Sequence, residues 1–144
     1  MNKWLLMTYR ISREPTAGRV YVWRKMKQLG AVAVQDAVWV LPATPRTQEQ
    51  FQWLATEIAE LGGEATYWLA DIVFESGDQS LHQQFKIPVE KAYREILASL
   101  QRKGRDLAAL SKRYQAIVAQ DYFQTELGRR VRDKLLAARE GSAK

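Results

Sequence analysis

The sequence predicts an α+β protein, and three observations predict it. Within the first 75 residues, short runs rich in β-branched and aromatic residues alternate with two stretches of helical apolar spacing, in the order strand, helix, strand, strand, helix, strand. Beyond residue 86, apolar residues recur at three- and four-residue spacing. All five tryptophans lie at or before Trp68, so the large aromatic core belongs to the N-terminal part. The order βαββαβ is the ferredoxin-like split βαβ arrangement. The expected architecture is therefore a ferredoxin-like core over residues 1–75 followed by a helical C-terminal extension over 76–144, packed on the core or on a partner subunit.

Each element has its own signal. Trp4 to Ile11 is aromatic and apolar and ends where Ser12, Glu14 and Pro15 supply turn chemistry. From about Thr16, Val20, Trp23, Met26/Lys27 and Leu29 recur at helical spacing, with Val22–Met26 as a second apolar row, and Gly30 stands where a helix end favours positive φ. Ala31–Val34 and Ala37–Leu41 flank Gln35-Asp36, which fits a tight hairpin turn and makes Asp36 a turn residue before it is a catalytic acid. Thr44 can cap a helix that Pro45 opens, and Phe51, Leu54, Ala55, Ile58 and Leu61 form its stripe until Gly62-Gly63 ends it. Glu64 to Phe74 is the fourth strand candidate, and residues 76–86 read as a polar linker. Val89, Tyr93, Ile96, Leu97 and Leu100 form a helical stripe ending at Gly104. Asp106 can cap a helix carrying Leu107, Leu110, Tyr114 and Ile117, and Leu127, Val131 and Leu135 mark a final helix with Gly128 as a weak point near its start. The first and third strands are apolar on both faces, so the C-terminal helices or a second subunit are expected to cover the open face of the sheet.

Composition bounds the function. The chain has 144 residues, 47% hydrophobic and 26% charged, which fits one globular domain and excludes wholesale disorder. The apolar run near the start, Trp4 to Met7, is far shorter than the ~18 residues of a membrane span, and it reads as no secretory signal. With no cysteine there is no disulfide, thiolate metal site or thiol nucleophile, and a cytoplasmic location is the expectation. The net charge of +6 is unevenly spread: residues 1–34 hold seven basic and one acidic side chain, residues 35–75 one basic and seven acidic, and residues 76–144 fourteen and eight. Two basic segments flanking an acidic one can pair internally, or can present a surface to a polyanion.

Searches for catalytic patterns return little. His82 is the only histidine, stands in a polar stretch and is expected to have a surface role. No GxSxG, P-loop, GxGxxG or HExxH pattern occurs. Small ferredoxin-like nucleases of the Cas2 type carry a metal-binding aspartate at the end of the first strand, where this chain has Thr8-Tyr9-Arg10; an arginine there repels a divalent cation and attracts an anion. No catalytic residue, metal or cofactor is expected. The candidate anion- or nucleic-acid-binding residues are Arg10, Arg19, Arg24 and Lys27 near the first helix, and Lys112, Arg113, Arg129, Arg130 and Arg132 in the C-terminal helices. Arginine presents a planar fork of donors that suits phosphate or another oxyanion. The ordinary alternative is a solvated helix face.

Three stretches carry a resemblance: Trp4-Leu5-Leu6 with Tyr9, the run from Arg19-Val20-Tyr21-Val22-Trp23-Arg24 to Gly30-Ala31, and Val38-Trp39-Val40-Leu41-Pro42. Together they resemble the N-terminal domain of the chromate-resistance regulator family ChrB. Asp121-Tyr122-Phe123, after a basic helix, is similar to a DFF-type segment of that domain. The N-terminal half also resembles the Cas2-like part of the phenylacetate-catabolism repressor family PaaX. The resemblance implies a bacterial cytoplasmic protein tied to chromate resistance and acting in transcriptional control. Complete regulators carry a second domain, so the chain is expected to be a fragment or a stand-alone relative. Expected partners are DNA and chromate or another oxyanion, with no membrane association, and the expected assembly is a homodimer. A structural dimerisation module and a degenerate Cas2-like nuclease are the alternatives.

Overall fold

A computed structural model describes residues 3–143, with side chains through Gly141. Its elements are β1 (Trp4–Arg10), α1 (Thr16–Leu29), β2 (Val32–Gln35), β3 (Val38–Pro42), α2 (Pro45–Glu60), β4 (Glu64–Ala70), α3 (Glu75–Leu100), α4 (Leu107–Val118) and α5 (Glu126–Ala143). The chain is a mixed α/β protein whose backbone contacts divide it into two compact units, one ending at Leu81 and one beginning at His82.

In the first unit, four strands form one antiparallel sheet in the order β2-β3-β1-β4. The register sets Leu5 opposite Leu41 and Met7 opposite Trp39, so these four side chains share a sheet face. All four are buried, as are Val22 and Met26 of α1 and Phe51, Leu54 and Ile58 of α2. Trp4 and Val40 on the other face are buried too, and the Trp4 indole N–H donates to Asp78 in the first turns of α3 at 2.7 Å. Helix α1 ends at Gly30 (φ 73°), a left-handed position that only glycine takes without steric cost.

The expected start of α2 is present and more heavily bonded than its sequence suggests. Thr44 accepts from the Thr47 N–H at 3.0 Å, and Thr47 Oγ1 accepts from the Thr44 N–H at 2.9 Å, a reciprocal capping box with Pro45 inside it. Thr47 is fully buried, and its hydroxyl donates to the Pro42 carbonyl at 2.6 Å, which ties the first turn of α2 to the last residue of β3.

Four expectations need correction. The hairpin turn is Asp36-Ala37 and not Gln35-Asp36, because a bulge places an extra residue between Ala33 and Gln35 and shifts the pairing. Ala37 takes φ 59° there, and Val34 is left exposed. In α1, Val22 and Met26 are the buried row; of Trp23 and Met26, the pair expected to anchor the helix, only Met26 is buried, and Val20 and Trp23 are exposed. Strand β4 stops at Ala70, and Val73 and Phe74 lie outside it, with Val73 98% exposed. Finally, residues 76–86 are no linker but the first turns of the 26-residue α3. Leu81, Phe85, Val89 and Tyr93 recur every four residues and are all buried, so one apolar stripe runs on through the polar composition and past Pro88.

The second unit is a helical cluster. Its core is Val89, Tyr93, Ile96 and Leu100 of α3, Ile117 of α4, and Val131 and Leu135 of α5. Asp106 caps α4 through the Ala109 N–H, as expected. Gly128 is not merely a weak point: a Cβ there would come within 2.9 Å of the Tyr93 ring, so glycine lets α5 approach that ring.

Candidate anion-binding cleft

The first unit contains an open cleft of about 720 Å³ between α1 and the β2–β3 hairpin. Arg19, Trp23 and Lys27, four residues apart in sequence, put one row of α1 into it, since four residues make roughly one helical turn. Arg10 enters from the end of β1, and Tyr9, Trp39, Gln35 and Asp36 complete the wall. The cleft thus gathers three of the four candidate cations of this half. Arg24, five positions after Arg19, turns away from that row and does not line it.

The cations differ in what holds them. Arg10 forms an ion pair with Glu64, its register partner on β4, at 3.0 Å, with both side chains exposed. Lys27 Nζ stands over the Trp23 ring, 5.6 Å from its centroid, a cation–π contact. Arg19 and Arg24 make no ion pair among the described residues. Behind the row, the Tyr21 hydroxyl donates to the Glu57 carboxylate and links α1 to α2; that hydrogen bond, with partial burial and the charge of Glu57, raises the Tyr21 pKa above its ordinary value.

The C-terminal candidates stand on two helices of the second unit. Arg113 on α4 pairs with Glu95 on α3. On α5, Arg129 pairs with Glu126 at 3.1 Å, and Arg132 with its neighbour Asp133 at 3.7 Å. Lys112 and Arg130 are exposed and make no ion pair among the described residues. Five cations are thus spread over two helices, and three of them are compensated by a carboxylate.

Asp121-Tyr122-Phe123 is structural. Asp121 accepts from the Thr125 N–H and hydroxyl just ahead of α5 and from the Tyr93 hydroxyl at 3.0 Å, while Tyr122 and Phe123 pack edge-on against Phe85. His82, expected at the surface, is half-buried on α3 with its ring 4.3 Å from that of Phe123. Burial first, and the Asp121 charge second, hold the Tyr93 pKa well above its ordinary value. A neutral phenol that resists ionisation in the fold but not in the unfolded chain stabilises equally at every pH below about 10. Above that the unfolded chain alone releases the proton, so stability is expected to fall as pH rises beyond 10. Urea midpoints at pH 8, 10 and 11 check this against Tyr93→Phe, in which that part of the decline should vanish.

Among the described residues, no group of three or more His, Cys, Asp and Glu side chains is placed to hold a metal, and no helix is long and apolar enough to cross a membrane. What sequence reasoning missed is Trp23 as a cleft residue. The Arg19–Trp23–Lys27 spacing was the available signal, masked because an aromatic flanked by apolar neighbours reads as core.

Comparison with known proteins gives a family match. The family model described as "Protein ChrB, N-terminal" matches residues 19–113, about two thirds of the chain. That stretch includes Arg19, Arg24, Lys27, Lys112 and Arg113 and stops short of α5. The Protein ChrB of Cupriavidus metallidurans strain CH34 is 32% identical over 69 residues, which is 48% of this chain and 21% of that protein. The match thus spans about a fifth of the length of that relative. No solved structure matches.

Proposed function

The chain belongs to the ChrB N-terminal domain family, and from that membership we propose that it is a non-catalytic regulatory domain of chromate resistance, binding DNA or an oxyanion through arginine and lysine. Membership supports the coarser half, a regulatory protein related to chromate resistance. The finer half rests on one observation: among the described residues, α1 presents Arg19 and Arg24 with no carboxylate paired to either, beside Lys27. Two arginines left without an ion pair among the described residues, on neighbouring faces of one helix in a chain holding 16 acidic residues, suit an external anion.

We read the first unit as ferredoxin-like. β3 lies between the two strands that α1 joins, and β1 between the two that α2 joins, as a split βαβ arrangement requires. The non-catalytic reading rests on Arg10 at the end of β1, where a metal-dependent nuclease of this architecture would need a carboxylate. A cytoplasmic homodimer belongs to the same reading: Trp68 and Leu69 on the edge strand β4 and Val34 on β2 are exposed apolar surface that a second copy would cover.

The test is affinity for duplex DNA and for chromate at several salt concentrations, with Arg24→Ala and Arg130→Ala. Each exposed phosphate contact removed should reduce the salt slope by about 1 and leave the melting temperature unchanged. A wild-type chain that binds neither anion at low salt overturns the proposal in favour of a protein-interaction module, whose apolar contacts respond little to salt.

A further inference from the structure

We propose that the cleft of the first unit takes a nucleotide unit, a flat aromatic base joined to phosphate, rather than a bare tetrahedral oxyanion. The proposal rests on the anion reading of the α1 cations, but on neither duplex DNA nor chromate.

Size argues first. A cleft of about 720 Å³ falls within the range of sites that enclose a small organic ligand, and a tetrahedral oxyanion would leave most of it to water. Chemistry narrows the ligand. Trp23 leaves 52% of its surface in solvent, on a helix that buries Val22 and Met26 completely. Burying a large apolar side chain is worth about 1.5–3 kcal/mol, so an exposed indole beside a packed core forgoes stability. On the same helix row it stands between Arg19 and Lys27, and Lys27 lies against its ring. A ring flanked by cations is what a base and its phosphate demand together: stacking on the indole, and charge neutralisation one helical turn to either side. A bare oxyanion would use the cations and leave the ring idle; an apolar ligand would strip water from three cations without return.

The opposite wall has what a base edge needs. Gln35 supplies amide donors and an acceptor, and Asp36 an acceptor for an exocyclic amine. That carboxylate opposes a second phosphate near the hairpin, which orients the ligand with its base toward β2–β3 and its phosphate toward Arg10 and α1. Bases stacked inside a duplex offer no free face, so the ligand is either a free mononucleotide or one nucleotide of a single strand.

The test uses the full chain and calorimetric titration with AMP, a six-residue oligothymidylate, adenosine and inorganic phosphate. AMP or the oligonucleotide should bind at least tenfold more tightly than inorganic phosphate. Binding by AMP assigns the site to free nucleotides, and binding by the oligonucleotide alone assigns it to single strands. Trp23→Ala, at an exposed position, should keep the melting temperature and weaken the nucleotide ligand about 5- to 150-fold while leaving inorganic phosphate unchanged. Phosphate binding as tightly as AMP and the oligonucleotide, equal losses for both ligand types in Trp23→Ala, or no binding by any probe each overturns the proposal. Salt-dependent duplex binding with a silent cleft would sink this inference and spare the regulatory reading; nucleotide binding without duplex or chromate binding would do the reverse.

Discussion

Tyr93→Ala is expected to cost about 3–5 kcal/mol, the range for deleting a fully buried aromatic ring, and so a large part of the ~5–15 kcal/mol that holds an ordinary domain together. Tyr93 is completely buried at the centre of the α3–α4–α5 cluster, among Ile96, Ile117 and Val131. Its ring packs so close to α5 that position 128 admits no side chain, and it stands 6.1 Å from the ring of Tyr114. A fully buried ring packed this closely leaves a large void when it is removed, which places the cost high in its range. Tyr93→Phe separates the hydroxyl from the ring. Asp121 keeps its bonds from Thr125, so losing the 3.0 Å bond from the phenol should cost only about 1 kcal/mol. Urea unfolding followed by far-ultraviolet circular dichroism reads both variants. A Tyr93→Ala protein within 1 kcal/mol of wild type would mean that the ring is not the centre of this core.

The contrast between Tyr93 and Trp23 shows how far the sequence could be read. Where local chemistry and periodicity pointed the same way, the element was legible: Thr44-Pro45 opening α2, Gly30 closing α1, Asp106 capping α4, and the stripe through Val89, Tyr93, Ile96 and Leu100. Where composition and periodicity disagreed, composition misled. The stretch 76–86 is polar enough to read as a linker, yet Leu81 and Phe85 continue the four-residue repeat of α3, and burial follows the repeat. The hairpin shifted by one residue because a bulge has no signature in the sequence beyond the strand itself.

The site was legible in its charges and illegible in its geometry. Arg10, Arg19 and Lys27 converge on one cleft, whereas Arg24 on the same helix does not, because five residues carry it about 140° around the axis. Of the C-terminal cations, Arg113, Arg129 and Arg132 already face carboxylates, partners that charge counting along the chain cannot assign. Trp23 was hidden by the rule that makes core prediction work: a large aromatic at helical spacing normally faces inward. Here the helix had two apolar rows, and the one through Val22 and Met26 is the buried one.

Thr47→Val should destabilise the first unit by about 2–5 kcal/mol, although it replaces a methyl-bearing side chain with one of the same shape. The Thr47 hydroxyl donates to the Pro42 carbonyl at 2.6 Å and accepts from the Thr44 N–H at 2.9 Å. Valine fills the space and satisfies neither group. The Pro42 carbonyl left buried and unpaired costs about 1–3 kcal/mol and the part-buried Thr44 N–H somewhat less, whereas the added methyl recovers less than one full CH₂ transfer of about 0.8 kcal/mol, since position 47 is already closed to water. Thr47→Ser keeps both bonds and gives up only the methyl, so it should lose about 1 kcal/mol. All five tryptophans lie at or before Trp68, so their fluorescence in urea reports on this unit. The expected order of midpoints is wild type, then serine, then valine, with the larger gap between serine and valine. Equal midpoints for serine and valine would show that volume and not hydrogen bonding fixes the junction of β3 and α2. A valine variant as stable as wild type would show that the junction is held by the stripe of Phe51, Leu54 and Ile58 alone.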